Sequence, residues 1–210
     1  VARIAELARV IAVALDDDPA FVDRAQGAAL LCKADLQSRM VSEFPELQGI
    51  AGRYYAAHDA GLAELSAGAR AAVAVALDEV YAPRFAGDAI ASTRLGQVLA
   101  LAERLDTLAG GFAAGLKPSG NKDPFALRRN ALGLARTLIE GGLDLSLAGM
   151  LEAAAASVHA SVKKVDFREK AKQGGDIVQI FGMVGDNSSV AELYDFILER
   201  LRSYFAERGV

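Results

Sequence analysis

Apolar residues recur every three or four positions through nearly the whole chain, and this spacing restricts the possible folds more than any other feature. Ile4, Leu7, Ala8 and Ile11 form one such stripe, Leu95, Val98, Leu99 and Ala102 another, and Leu127, Ala131, Leu134 and Leu138 a third. This is the period of a buried helical face rather than of a strand. Usage agrees with it: Ala and Leu are abundant, tryptophan is absent and only 7% of residues are aromatic, which favours helix over sheet. At 210 residues the chain is long enough to bury a substantial core, as one helical domain or two small ones. The expected class is all-α.

The same residues exclude several chemistries. Cys32 is the only cysteine, and the two histidines, His58 and His159, are far apart, so no zinc cluster or disulfide framework is expected. That usage fits a reducing compartment. A formal charge of −4 argues against a generally basic nucleic-acid coat but leaves room for a local phosphate-binding patch. No apolar run approaches the roughly 20 residues needed to cross a bilayer, and no charged-then-apolar leader opens the chain. The expectation is a soluble, cytoplasmic protein with no membrane partner. The start at Val1, without a methionine, suggests a piece of a larger polypeptide.

Taken in order, the first stripe ends at Asp16-Asp17-Asp18-Pro19, and a helix is predicted from about Ala20 to Met40 with Ala25, Ala28, Ala29, Cys32 and Leu36 on one side. Pro45 predicts a break. Helices follow from about Leu47 to Ala57 and from about Ser66 to Val80, then a loop between Pro83 and Ser92, with Ser92 or Thr93 capping the next helix. After the glycine-rich turn through Gly110, Gly111 and Gly115, Asp123 and Pro124 have the chemistry of a helix start. On that helix Arg129 and Arg136 are expected opposite the buried stripe, with Arg128 on the flank. Gly141-Gly142 predicts a stop, Leu143 to Ser157 a short helical element, and Ile177 to Phe181 a strand or a buried helical turn. Lys163, Lys164, Arg168, Lys170 and Lys172 make a basic cluster. Ser189 and Glu192 have capping-box spacing before a stripe of Leu193, Phe196, Ile197, Leu201 and Tyr204.

Three groups of residues carry candidate chemistry. Asp106 falls on the apolar face of its helix and Asp35 at the margin of its own, and a carboxylate in such a place needs a specific partner. The two could hold a hard cation between them, or be neutralised by Lys33, Arg39 or Arg104 in structural salt bridges. His58-Asp59 resembles half of a metal site, but no earlier histidine accompanies it, so an exposed helix-terminal pair is expected. Lys117, Lys122, Arg128 and Arg129 gather around the glycine-rich turn, where they make either a phosphate-contacting edge or a solvated basic one. The glycines follow a helix rather than a strand and lack a phosphate-loop pattern.

Several blocks are similar to those of a known family. Leu31-Cys32-Lys33-Ala34-Asp35-Leu36, Met40 through Gly49 (MVSEFPELQG), Leu101 through Leu108 (LAERLDTL) and Asp123 through Arg129 (DPFALRR) resemble the β subunit of bacterial glycyl-tRNA synthetases. The resemblance is close from Val1 to about Leu147 and looser over the last helix, while residues 153–188 match no pattern of the family. It implies an HD-like helical bundle over residues 1–117, followed by a smaller helical region over 118–210 leading toward an anticodon-binding domain. It also implies an α2β2 ligase in which the α subunit activates glycine with ATP and Mg, while the β subunit binds glycine tRNA. The implied roles are tRNA contact for Arg128, Arg129, Lys117 and Lys122, and a degenerate HD site kept as scaffold for Lys33, Asp35 and Asp106. No catalytic residue, metal or cofactor is expected within this chain. A subunit-docking scaffold, or a residual metal-dependent phosphohydrolase, are the alternatives.

Overall fold

The computed structural model describes every residue except Asp17, Asn121, Pro124, residues 171–186, Arg208 and Val210; for residues 162–170, 187–189 and Glu207 it describes the backbone alone. Among the described residues the elements are helices, joined by one isolated bridge between Ser119 and Lys122. The all-α expectation holds. The chain divides into two compact units, Val1–Glu103 with Arg136–Leu145, and Arg104–Ala135 with Ser146–Val210. The units are therefore not consecutive halves of the sequence.

In the first unit, α1 (Ala2–Leu15) buries Ile4, Leu7, Ala8 and Ile11 as their spacing requires. It packs on α2 (Pro19–Leu31), which starts where the Asp18 side chain accepts the Ala20 amide. The buried face of α2 is Ala25, Ala28 and Ala29, small residues that let helices approach closely. The predicted helix to Met40 is interrupted. A 3-10 turn, Ala34–Gln37, follows α2, and Ser38 then restarts the chain as α3 (Arg39–Glu43) by accepting the Val41 amide. Side-chain capping by serine competes with helix continuation, so the break falls there. Pro45 opens a second short 3-10 turn, Pro45–Leu47, at the expected stop.

Helix α4 (Ile50–His58) begins later than predicted because Gly49 sits at φ +84°, outside helical space. It packs on α5 (Ala67–Glu79), which Ser66 caps through the Ala69 amide and which also meets α2. Residues 83–92 carry no helix, as expected. Thr93 caps α6 (Arg94–Ala113) by accepting the Gly96 amide at 3.0 Å. A second anchor is invisible in the sequence: the Glu79 carboxylate accepts the amides and hydroxyls of both Ser92 and Thr93. Gly96 makes room for it, since a side chain there would overlap Glu79. Residues 98–102 of α6 are buried on every side, more than the single predicted stripe, which marks a central helix.

Helix α7 (Leu127–Glu140) starts later than Asp123 and Pro124 suggest, because Ala126 has φ +53°, in the left-handed region. Asp123 still supplies the cap from upstream, accepting the amides of Leu127 at 2.8 Å and Arg128 at 2.9 Å. Leu127, Ala131 and Leu134 are buried and Leu138 is half-buried. Arg136 corrects the predicted exposed face: it is buried, its Nη1 and Nη2 donating to the carbonyls of Ala86 and Asp88 at 2.9 Å each and its Nε to Glu140 at 2.6 Å. The loop before α6 has carbonyls with no helical partner, and a long guanidinium satisfies them.

In the second unit, α8 (Leu147–Lys170) is longer than the short element predicted there. Lys163, Lys164, Arg168 and Lys170 lie in its backbone-only portion; Lys172 and the run Ile177 to Phe181 lie outside the described residues. The last helix, α9 (Asn187–Glu207), contacts α8 and starts upstream of Ser189, so Ser189 is inside the first turn rather than at a cap. Leu193 and Ile197 are buried, while Phe196, Leu201 and Tyr204 are half-buried.

Candidate functional site

Two polar regions contain the residues singled out by sequence, one in each unit. In the first, the turn after α2 turns Asp35 inward until it is 4% exposed, with Oδ2 accepting the Gly49 amide at 2.7 Å. Among the described residues no cation pairs with Asp35. An amide at the start of α4 meets the buried carboxylate instead, the donor that helix N-termini offer in any case. The geometry depends on Gly49 lacking a side chain, since a Cβ there would come within 2.7 Å of the Tyr81 ring.

Lys33 spends its charge elsewhere. Its Nζ donates to Glu103 Oε1 at 3.0 Å and lies 4.3 Å from the Tyr81 ring centre. Burial works against the ammonium, but Glu103 and Tyr81 outweigh it and hold the Lys33 pKa above its ordinary value. The Tyr81 hydroxyl donates to the Cys32 carbonyl at 3.4 Å, and burial raises its own pKa. Cys32 is buried, and loss of solvation pushes its thiol from 9.0 up to about 11. A thiol in that state is a packing group, not a nucleophile. Asp106, predicted on the buried face, is half-buried and belongs to the second unit. The buried ionic side chain of that segment is Arg104, at 3% exposure. His58 is exposed at the end of α4, and Asp59 accepts the Gly61 amide at 2.7 Å, starting a 3-10 turn. Among the described residues no group of three or more His, Cys, Asp or Glu is placed to hold a metal ion.

The second region is the connection from α6 to α7. Ser119 and Lys122 exchange backbone hydrogen bonds at 2.9 and 3.1 Å, making a tight turn with Gly120 at φ +51°. Arg128 Nη2 donates to the Gly120 carbonyl at 2.7 Å, so its guanidinium braces the turn. Lys122 and Arg129 are exposed, and Arg128 is half-exposed. Lys117 is exposed as well, but its Nζ meets Glu192 Oε2 at 2.5 Å and lies 5.7 Å from the Phe112 ring centre. A cleft of about 670 Å³ opens here, with Lys117, Phe112, Glu192, Asp195, Glu199 and Arg202 in its lining. The spacing predicts Glu192 as the capping-box partner of Ser189; its carboxylate meets Lys117, a contact that only the fold reveals.

Among the described residues no helix is long and apolar enough to cross a membrane. The family described as glycyl-tRNA synthetase beta subunit matches residues 1–210. Glycine-tRNA ligase beta subunits of Xanthomonas campestris pv. campestris (strain B100), Xylella fastidiosa (strain M12) and Ralstonia nicotianae are 54%, 49% and 44% identical across the whole chain. The chain covers 26%, 29% and 25% of these relatives, so it spans about a quarter of their length. On the strength of that family match over the whole chain, the chain belongs to the glycyl-tRNA synthetase beta subunit family.

Proposed function

We propose that this chain is an RNA-facing part of a glycine-tRNA ligase beta subunit in the cytoplasm. It supports ATP-dependent attachment of glycine to its tRNA by positioning the tRNA for the α subunit of an α2β2 enzyme. The observation that carries the reading is the grouping of Lys117, Lys122, Arg128 and Arg129 around one braced turn, in a chain whose formal charge is −4. A local cationic edge on an acidic protein is the pattern expected of a defined phosphate contact rather than a general coat. The chain supplies no bond chemistry in this reading. ATP and Mg serve the α subunit, and the beta subunit's contribution is orientation of a bound substrate, which lowers a barrier by holding reacting groups in place.

Within the edge the roles differ. Lys122 and Arg129 are exposed, Arg128 fixes the turn through Gly120 while staying half-exposed, and Lys117 is shared with Glu192. In the first unit, Lys33 and Asp35 act as scaffold. The test is replacement of Arg128 and Arg129 by glutamate in the complete beta subunit, reconstituted with its α subunit. Glycine-tRNA affinity and aminoacylation are expected to fall together by tenfold or more, with glycine activation by ATP unaffected. Unchanged affinity and aminoacylation in a folded variant would remove the turn from the RNA contact and leave the docking-scaffold role in its place.

A further inference from the structure

The ammonium of Lys117 is held by an acidic side chain, Glu192 of α9, at 2.5 Å. The contact has an aromatic part too, since Phe112 beneath Lys117 packs against Phe196 with ring centroids 5.2 Å apart. Phe196 lies one helical turn after Glu192. The ring packing is indifferent to an arriving anion, but the ion pair is not, because carboxylate and phosphate oxygens are alternative acceptors for one ammonium. Lys117 and Glu192 side chains are 44% and 51% exposed, so a phosphate reaches the ammonium without moving α9, which Leu193 and Ile197 keep buried in its unit. Asp195 and Glu199 continue the acidic lining of the cleft along the same helix.

We propose that Glu192 is a positioning residue that sets the strength of the Lys117 phosphate contact, acting as an internal competitor that RNA must displace. This step rests on the RNA-facing reading of the turn. On binding, Lys117 exchanges a carboxylate for a phosphate, and no covalent bond changes. Glu192 is then left beside a phosphate with Asp195 and Glu199 behind it, and like charges repel. Glu192 thus subtracts from RNA affinity through both the exchange and the repulsion, and makes the Lys117 contact conditional on a well-placed phosphate.

The experiment is binding of bacterial glycine tRNA to the assembled enzyme across a salt series, with wild type, Glu192→Gln, Lys117→Gln and the double variant. Glu192→Gln is expected to tighten binding about two- to fivefold, the range set by an exposed ion pair. It should also steepen the salt dependence by up to about one phosphate contact. Lys117→Gln should weaken binding more in the Glu192→Gln background than in wild type, and Glu192→Asp should keep wild-type behaviour. If Glu192→Gln leaves affinity and salt slope unchanged, or weakens binding, while Lys117→Gln still weakens it, the role of Glu192 is overturned and the turn keeps its RNA contact. If Lys117→Gln has no effect in either background, the RNA contact of Lys117 itself falls.

Discussion

Two regions of this molecule use the same kinds of side chain to opposite ends. Around Asp35 the charges turn inward: a buried carboxylate on the Gly49 amide, and a half-buried lysine on Glu103 and the Tyr81 ring. Around Gly120 the cations Lys122 and Arg129 face outward, and Arg128 gives one donor to the turn while remaining half-exposed. A buried ionic group left without its partner costs far more than an exposed one. The first region should therefore govern stability and the second recognition. Charged residues in a family's signature blocks need not share a role, and burial separates them.

The comparison breaks most visibly at Gly49. A side chain there meets both φ +84° and the Tyr81 ring at 2.7 Å. Gly49→Ala is expected to destabilise the chain by about 3 kcal/mol, combining left-handed strain with overpacking, as measured by urea unfolding. A change below about 1 kcal/mol would mean that the corner yields easily and is not a rigid scaffold.

Alkaline pH gives the next largest effect. The Cys32 thiol ionises at 9.0 in the unfolded chain and at about 11 in the fold. Between those values the unfolded state has lost a proton that the native state keeps, so stability falls as pH rises through that window. The loss amounts to about 2–3 kcal/mol. Lys33 and Tyr81 are also raised from 10.5 and 10.0, and both add to the fall in the same direction at the upper end. Unfolding free energies measured from pH 8 to 11 should show the slope, and Cys32→Ala should flatten its lower part. A wild-type stability independent of pH across this range would contradict the buried corner.

How much of this was legible beforehand follows from the reach of each signal. The stripes of α1, α6 and α7, the cap of α6 at Ser92 or Thr93 and the stop at Pro45 are local, and periodicity and capping chemistry carry them. The blocks containing Lys33, Asp35, Arg128 and Arg129 were legible as a family resemblance. Destinations of long polar side chains were not. The helical phase of Arg136, pointing away from Leu134, predicts an outer face, yet a guanidinium reaches several ångströms sideways to carbonyls of a loop far back in sequence. Glu79 gives no sign in the sequence that it serves Ser92 and Thr93. The late start of α7 turns on one residue, Ala126, in a conformation that alanine rarely adopts. Each of these depends on non-local packing, which the spacing of apolar residues does not encode.

The most direct test of the division of labour is a paired measurement on two variants: unfolding free energy of the chain, and glycine-tRNA affinity of the assembled enzyme at low and moderate salt. For Asp35→Ala, which removes the acceptor of the buried Gly49 amide, the expected results are a loss of about 1–3 kcal/mol in stability and unchanged tRNA affinity in folded protein. For Lys122→Gln combined with Arg129→Gln, stability should move by less than about 0.5 kcal/mol, while affinity falls severalfold and the salt dependence becomes shallower by about two phosphate contacts. The opposite pairing, with Asp35→Ala weakening RNA binding and the exposed cations affecting only stability, would contradict the account.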